Sequence, residues 1–178
     1  PEGYFIRILP GAKIRIPLQS CLMVAKDHSA QRVHNIIVAE EGSEAEIITG
    51  CTMHRSAASG LHAGVSEFYV RKGATLTFTM IHSWSKDFHV RPRSAAAVDE
   101  GATFVSNYII TRPVRSLQRY PLTVLKGKNS RSRFQSILVG SGRSHLDIGS
   151  RTLLEGRGAR SESVSRAIGA DRSTITAR

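Results

Sequence analysis

Val70-Arg71-Lys72-Gly73-Ala74-Thr75-Leu76-Thr77-Phe78-Thr79-Met80-Ile81-His82-Ser83-Trp84 is the stretch from which the fold is read. After Gly73, every second residue (Ala74, Leu76, Phe78, Met80, His82, Trp84) falls on one face, and Thr75, Thr77, Thr79, Ile81 and Ser83 fall on the other. Such alternation predicts a long strand with one buried face. The same unit, an apolar residue three before a glycine and then alternation, recurs at Gly11, Gly42, Gly101, Gly127 and Gly156, at intervals of 31, 31, 28, 26 and 29 residues. A repeat of that length predicts a single-domain, all-β solenoid with one repeat per coil and the glycines at its corners.

The shared register makes a sharper expectation. Nine residues after each glycine stand Ser20, Cys51, His82, Ile110, Ser136 and Ser165, and eleven after stand Leu22, Met53, Trp84, Arg112, Leu138 and Ala167. Equivalent positions of successive coils stack at about 4.8 Å. Cys51 and His82 are therefore expected as neighbours inside the coil, with Met53 and Trp84 beside them, unless a one-residue bulge breaks the pairing.

A chain of 178 residues with 40% hydrophobic and 6% aromatic content is long enough to bury one core of small and branched side chains. No apolar run approaches the roughly 20 residues that cross a bilayer, and no signal-peptide pattern opens the chain. The start at Pro1 and the stop at Arg178 inside a repeat-like stretch suggest a piece of a longer protein with missing ends. The net charge of +11 sits in the second half: residues 1–90 carry 9 basic against 8 acidic residues, and residues 91–178 carry 16 against 6. A basic surface attracts nucleic acid, anionic membrane or an acidic partner. Aromatics are not interleaved with the arginines as base stacking requires, so a solvated outward face is the expectation, with neither nucleic acid nor membrane as partner. Two cysteines, Cys21 and Cys51, without a dense framework fit a reducing, cytoplasmic setting, and their registers point them to opposite faces.

In chain order, Tyr4 to Leu9, Lys13 to Val24, Arg32 to Ala39 and Glu44 to Cys51 read as strands, and Ala25 to Gln31 as a polar corner. Thr52 to Gly60 and Ser85 to Ser94 read as surface loops. After Ala95 the inward positions become hydroxylic, with Ser130, Ser132 and Ser136 and then Ser161, Ser163 and Ser165, which need partners for their hydroxyls. No helix is expected.

Two constellations carry chemistry. Cys51-Thr52-Met53-His54 followed by His62 has the residue types of a soft metal site, although two histidines on a mobile loop are more often solvated side chains. Cys51 and His82 make the better motivated pair, because an imidazole beside a thiol can lower its pKa and make it a nucleophile or ligand. The alternative is a buried structural cysteine next to a hydrogen-bonded histidine. Paired carboxylates, a Ser, His and Asp arrangement and a phosphate-binding glycine loop are not apparent.

Gly50-Cys51-Thr52, Leu61-His62-Ala63, Glu67, Gly73-Ala74 and Trp84, then Tyr120-Pro121, Val124-Leu125, Gly127, Asp147-Ile148-Gly149-Ser150, Gly156, Arg160 to Glu162 and Ser165, resemble in order and spacing the core of the SufB and SufD proteins of SUF iron-sulfur cluster assembly. The resemblance covers nearly the whole chain from about Cys21. It implies a right-handed parallel β-helix acting as a non-enzymatic assembly scaffold. Implied partners are a SufC-type ATPase, a sulfur donor protein and a SufB/SufD-type homo- or heterodimer, with an iron-sulfur cluster held transiently. It matches Cys51 to the SufB cysteine at which sulfur enters, and His82, where SufB usually has Gln, and Trp84 to the lining of an internal tunnel. Thr176 stands where SufB has the cysteine that receives the sulfur, and Met23 and Ala25 stand where SufB has polar tunnel residues. The family's His and Glu ligands and its SufC-binding helical domain lie beyond Arg178. Two rival functions remain open on the residues alone, a β-helix enzyme acting on acidic polysaccharide and a passive binding module.

Overall fold

A computed structural model describes residues 2–178. Among them are sixteen strands and no helix: β1 (Phe5–Ile8), β2 (Leu18–Val24), β3 (Ser29–Ala39), β4 (Glu44–Met53), β5 (Ser59–Val70), β6 (Thr75–Ser83), β7 (Asp87–Val90), β8 (Arg93–Val98), β9 (Thr103–Ile110), β10 (Ser116–Arg119), β11 (Leu122–Leu125), β12 (Arg131–Gly140), β13 (His145–Ile148), β14 (Arg151–Leu154), β15 (Arg160–Gly169) and β16 (Thr174–Ala177). Every ladder between them is parallel. The 6-stranded sheet runs β15-β12-β9-β6-β4-β2, and the remaining strands form a 10-stranded sheet that faces it. Each strand thus pairs with its equivalent one repeat away, and the molecule is a β-solenoid.

The two sheets differ because of proline. In β3 and β5 the long strands are continuous. In the next coils Arg91-Pro92 separates β7 from β8 and Tyr120-Pro121 separates β10 from β11, because proline has no N–H to give the ladder. The segment from Ser85 to Ser94, expected as a loop, is therefore largely strand: Asp87–Val90 pairs with the start of β5, and Arg93–Val98 pairs with its end.

Inward columns of the six-stranded sheet confirm the alternation. One runs Ala45, Leu76, Phe104, Ser132 and Ser161, the next Ile47, Phe78, Ser106, Phe134 and Ser163. Phe68 of the facing sheet lies 4.7 Å from Phe78 and 4.9 Å from Phe104, ring centre to ring centre, so aromatics fill the middle coils. Ser132 donates to Ser161 at 2.9 Å, and Ser161 in turn meets Thr152 at 3.1 Å. The hydroxylic positions of the later coils find one another. Those of β15 are open to solvent.

Two details of register differ from expectation. Gly11, Gly42, Gly73 and Gly101 do turn corners with φ of 70°, 65°, 64° and 66°, but the equivalent corners in the next two repeats are Asn129 (φ 56°) and Gly158 (φ 73°). Gly127 and Gly156 are needed for another reason: a Cβ on Gly127 would sit 1.9 Å from the Glu100 nitrogen, and one on Gly156 1.9 Å from the Gly127 oxygen. Secondly, the chain takes two residues more from Lys13 to Leu18 than from Glu44 to Ile47. Ser20 therefore pairs with Thr49, and Leu22 with Cys51. The column through Cys51 reads Leu22, Cys51, His82, Ile110, Leu138 and Ala167. Both slips are even, so the inward face is preserved while the stacking partners change.

Candidate functional site

Strand alternation decides which side chains enter the coil. In β4 and β6, Cys51 and His82 occupy the same inward position and are direct register partners. On the facing sheet His62 of β5 also points inward, opposite them. The three are buried, at 1% relative exposure each, and one donor atom from each lies within 4.8 Å of the others. His62 is thus a strand residue of the interior and not the loop residue expected. His54 is where the sequence placed it, on an exposed turn, bonded through Nδ1 to Ser56 Oγ at 2.8 Å and not part of this cluster.

Aromatic rings wall the cluster. The His62 ring lies 5.1 Å from His82 and 5.0 Å from Trp84, and Trp84 stacks on Phe88 at 4.9 Å. His82 meets Tyr108 edge-on at 5.2 Å. Met53 is half-buried against the core. Cys21 is exposed and unbonded, on the other face of its strand, and Cys51 is a free thiol.

Polar contacts fix the rings. His62 Nδ1 lies 2.9 Å from Gln31 Oε1, and His82 Nδ1 lies 3.0 Å from the Tyr108 hydroxyl. The Arg119 guanidinium sits over the Tyr108 ring at 4.5 Å and donates to Ser106 Oγ at 3.4 Å. It has no carboxylate partner, and burial lowers its pKa to about 10. A series of polar groups, His82, Tyr108, Arg119 and Ser106, therefore continues the cluster along the coil axis. Near its far end a cavity of about 40 Å³ is lined by Arg119, Ser136, Ser163 and Ser165 among others.

Burial governs the protonation of the cluster. It pushes the Cys51 thiol up to about 12, lowers the His62 imidazole to about 4, and holds His82 well below its ordinary value, with His62 and Arg119 adding to the effect on His82. The expected lowering of the thiol by His82 is absent because a neutral imidazole exerts no Coulombic pull. At neutral pH the cluster comprises a neutral thiol and two neutral imidazoles. His82 Nε2 and Trp84 Nε1 are buried without a partner.

Nothing in the sequence singles out Gln31, Tyr108 or Arg119. Gln31 belongs to a stretch that reads as a polar corner, and Arg119 follows a loop that hides its register; only the alternation Leu117, Arg119 across β10 marks it as inward. Thr176 pairs with Asp147 in the β13–β16 ladder, half-buried, far along the chain from the cluster. No helix among the described residues is long and apolar enough to cross a membrane.

A family profile described as "SUF system FeS cluster assembly, SufBD core domain" matches residues 22–178. An iron-sulfur cluster assembly SufBD family protein of Methanothermobacter thermautotrophicus is 52% identical over 176 residues, 99% of this chain and 43% of its own length. One of Archaeoglobus fulgidus is 52% identical over 167 residues, 94% of this chain and 44% of its own. The iron-sulfur cluster assembly protein SufB of Bacillus subtilis is 25% identical over 178 residues. The chain spans less than half the length of each of these relatives.

Proposed function

Because the chain belongs to the SufBD family of iron-sulfur cluster assembly proteins, we propose that it forms the solenoid core of a SUF-type scaffold and takes up sulfur at Cys51. The observation that carries this reading is the placement of a free thiol inside the coil, at the start of the polar series His82, Tyr108, Arg119. On the side of the first coil Cys51 pairs with Leu22 of edge strand β2.

Sulfur transfer to Cys51 balances without an added oxidant or reductant. The Cys51 sulfur attacks the outer sulfur of a donor persulfide, the donor S–S bond breaks, and Cys51 becomes a persulfide while the donor leaves as a thiol carrying the Cys51 proton. Trp84, stacked on Phe88, walls the site at His62 and His82. Arg119, a buried cation without a counterion, would stabilise an anionic persulfide passing along the axis.

The partners of this scaffold are a SufC-type ATPase and a second SufB- or SufD-type chain, in the cytoplasm, with sulfur delivered by a donor protein. An iron-sulfur cluster is the transient cargo. The scaffold role itself is not that of an enzyme, since nucleotide hydrolysis belongs to the ATPase subunit. Helical regions flank this core in the full-length protein. Co-expression of the full-length protein with the ATPase tests the reading: the complex should purify with acid-labile sulfide, and Cys51→Ser should keep the ATPase and lose the sulfide. Unchanged sulfide in Cys51→Ser would overturn it.

A further inference from the structure

Two facing sheets bring one sulfur and two imidazoles to a single point inside the coil. We propose that Cys51, His62 and His82 form a mononuclear site for a thiophilic divalent ion of tetrahedral habit, Zn²⁺ or Fe²⁺, held by Cys51 Sγ, His62 Nε2 and His82 Nε2 with the fourth position free for an anion. The site does not depend on Cys51 being the sulfur acceptor.

The donor set comes first. One thiol and two imidazoles are the ligands that zinc and ferrous ions prefer over calcium or magnesium, which take oxygen. Around a tetrahedral ion with bonds of about 2.0–2.3 Å, ligand atoms lie roughly 3.3–3.6 Å apart. One donor atom of each residue already lies within 4.8 Å of the others, so side-chain rotations close the site.

The orientation of the rings also fits a metal. A ligating histidine typically ties its other ring nitrogen to an oxygen, which fixes its tautomer and direction. Gln31 Oε1 accepts from His62 Nδ1–H at 2.9 Å, which leaves the His62 Nε2 lone pair free. Tyr108 engages His82 Nδ1 at 3.0 Å, and His82 Nε2 is buried with no partner at all. A buried polar atom without a partner is costly, and two histidines that each bond an oxygen through Nδ1 around one thiol are the arrangement that a metal site needs. Gly64 adds to the fit, because a Cβ there would press on His62 Nε2 at 3.1 Å. Beside Cys51 and His62 lies a cavity of about 10 Å³, also lined by Met80, Asn35 and Ser66.

Charge identifies the fourth ligand. Binding releases the Cys51 proton to solvent, and one divalent ion with one thiolate leaves a net positive charge in an interior that already holds Arg119. A small anion such as hydroxide or hydrosulfide in the fourth position makes the buried complex neutral.

Anaerobic titration of the chelator-treated full-length protein with Co²⁺, in the absence of any sulfur donor, tests the site. The expected result is one bound ion with the strong visible bands of tetrahedral cobalt and a thiolate charge-transfer band, displaced by Zn²⁺ or Fe²⁺. Cys51→Ser should abolish the charge-transfer band, His62→Ala and His82→Ala should abolish tight binding, and Cys21→Ser should change neither. Gln31→Leu, which keeps all three ligands, should weaken binding by about 10–100-fold, so the site is testable even where a ligand variant folds poorly. Absence of the bands in protein with native circular dichroism, failure of both Zn²⁺ and Fe²⁺ to displace cobalt, or binding that survives Cys51→Ser and Gln31→Leu unchanged would overturn the proposal. Loss of sulfur loading with cobalt binding intact would count against the proposed function and leave this site standing.

Discussion

Cys51 of β4 and His82 of β6 are direct partners in adjacent parallel strands, so the backbone ladder itself holds the thiol beside the imidazole. The ladder is continuous from Glu44 to Thr52, and the pairing therefore needs no loop to maintain it.

The two cysteines should differ sharply in accessibility. Cys21 is exposed and Cys51 is 1% exposed, so alkylation of the native protein should modify Cys21 first, and Cys51 more than about a hundredfold more slowly, because reaching it requires opening of core strands that costs several kcal/mol. In denaturant the two should react alike. Mass analysis of peptides after timed quenching measures both, and equal native rates would mean that the coil is open at Cys51.

Trp84 is the largest side chain of the chamber, buried at 1% exposure between His62 and the stacked Phe88 ring. Trp84→Ala should destabilise the fold by about 3–5 kcal/mol. Trp84→Phe, which keeps a ring on Phe88, should cost less. Urea unfolding followed by circular dichroism distinguishes them, and a loss under about 1 kcal/mol for Ala would show that the chamber collapses freely.

Glycines at the coil ends should separate into two classes. Gly101 has a left-handed φ of 66° and open space around it, so Gly101→Ala should cost about 1–2 kcal/mol of backbone strain. Gly127 has no left-handed φ, yet its Cβ would collide with the backbone of Glu100; Gly127→Ala should cost more than Gly101→Ala, at or beyond the upper end of the about 1–3 kcal/mol of overpacking. Asn129→Gly, at a left-handed corner, should be close to neutral. Denaturant midpoints of the three variants give the order.

Acid should loosen the turn before β5. Asp27 accepts the Ser59 N–H at 2.7 Å and the Ala58 N–H at 3.0 Å, and the Ser59 N–H bond chiefly holds its pKa below the ordinary carboxylate value. A depressed folded pKa stabilises above the unfolded value, and that contribution is lost as pH falls through the folded one. Amide exchange at Ala58 and Ser59, corrected for intrinsic rates, should therefore lose protection below about pH 4 in the native chain. In Asp27→Asn, protection should be lower at neutral pH and independent of this transition. A pH response retained in the variant would assign it to another group.

The fold was legible because alternation and repeat length are local signals that Gly73 to Trp84 display in full. Register was legible where each coil spends the same number of residues between its corner and its strand, as from Gly42 through Gly73 to Gly101, and failed where Lys13 to Leu18 carries two residues more than Glu44 to Ile47. Gly42 and Gly73 are 31 residues apart and gave the Cys51–His82 pairing, whereas Gly127 misled by two positions because it serves close packing and Asn129 turns the corner. His62 was hidden for a different reason. The turn from His54 to Ala58 has no periodicity, and the start of β5 with its small residues Ser59, Gly60, Ala63 and Gly64 carries little hydrophobic signal, so nothing local showed that His62 faces inward. Gln31, Tyr108 and Arg119 join the site through contacts between residues 13 to 31 positions apart in the chain, which no window of sequence contains.

The most direct test of the central claim is to locate sulfur on the full-length protein. After incubation with a persulfide-bearing donor protein, alkylation and proteolysis, mass spectrometry should find one added sulfur atom on the peptide containing Cys51 and none on that containing Cys21. Sulfur on Cys21 alone, or on neither cysteine while the donor is discharged, would contradict Cys51 as the point of uptake.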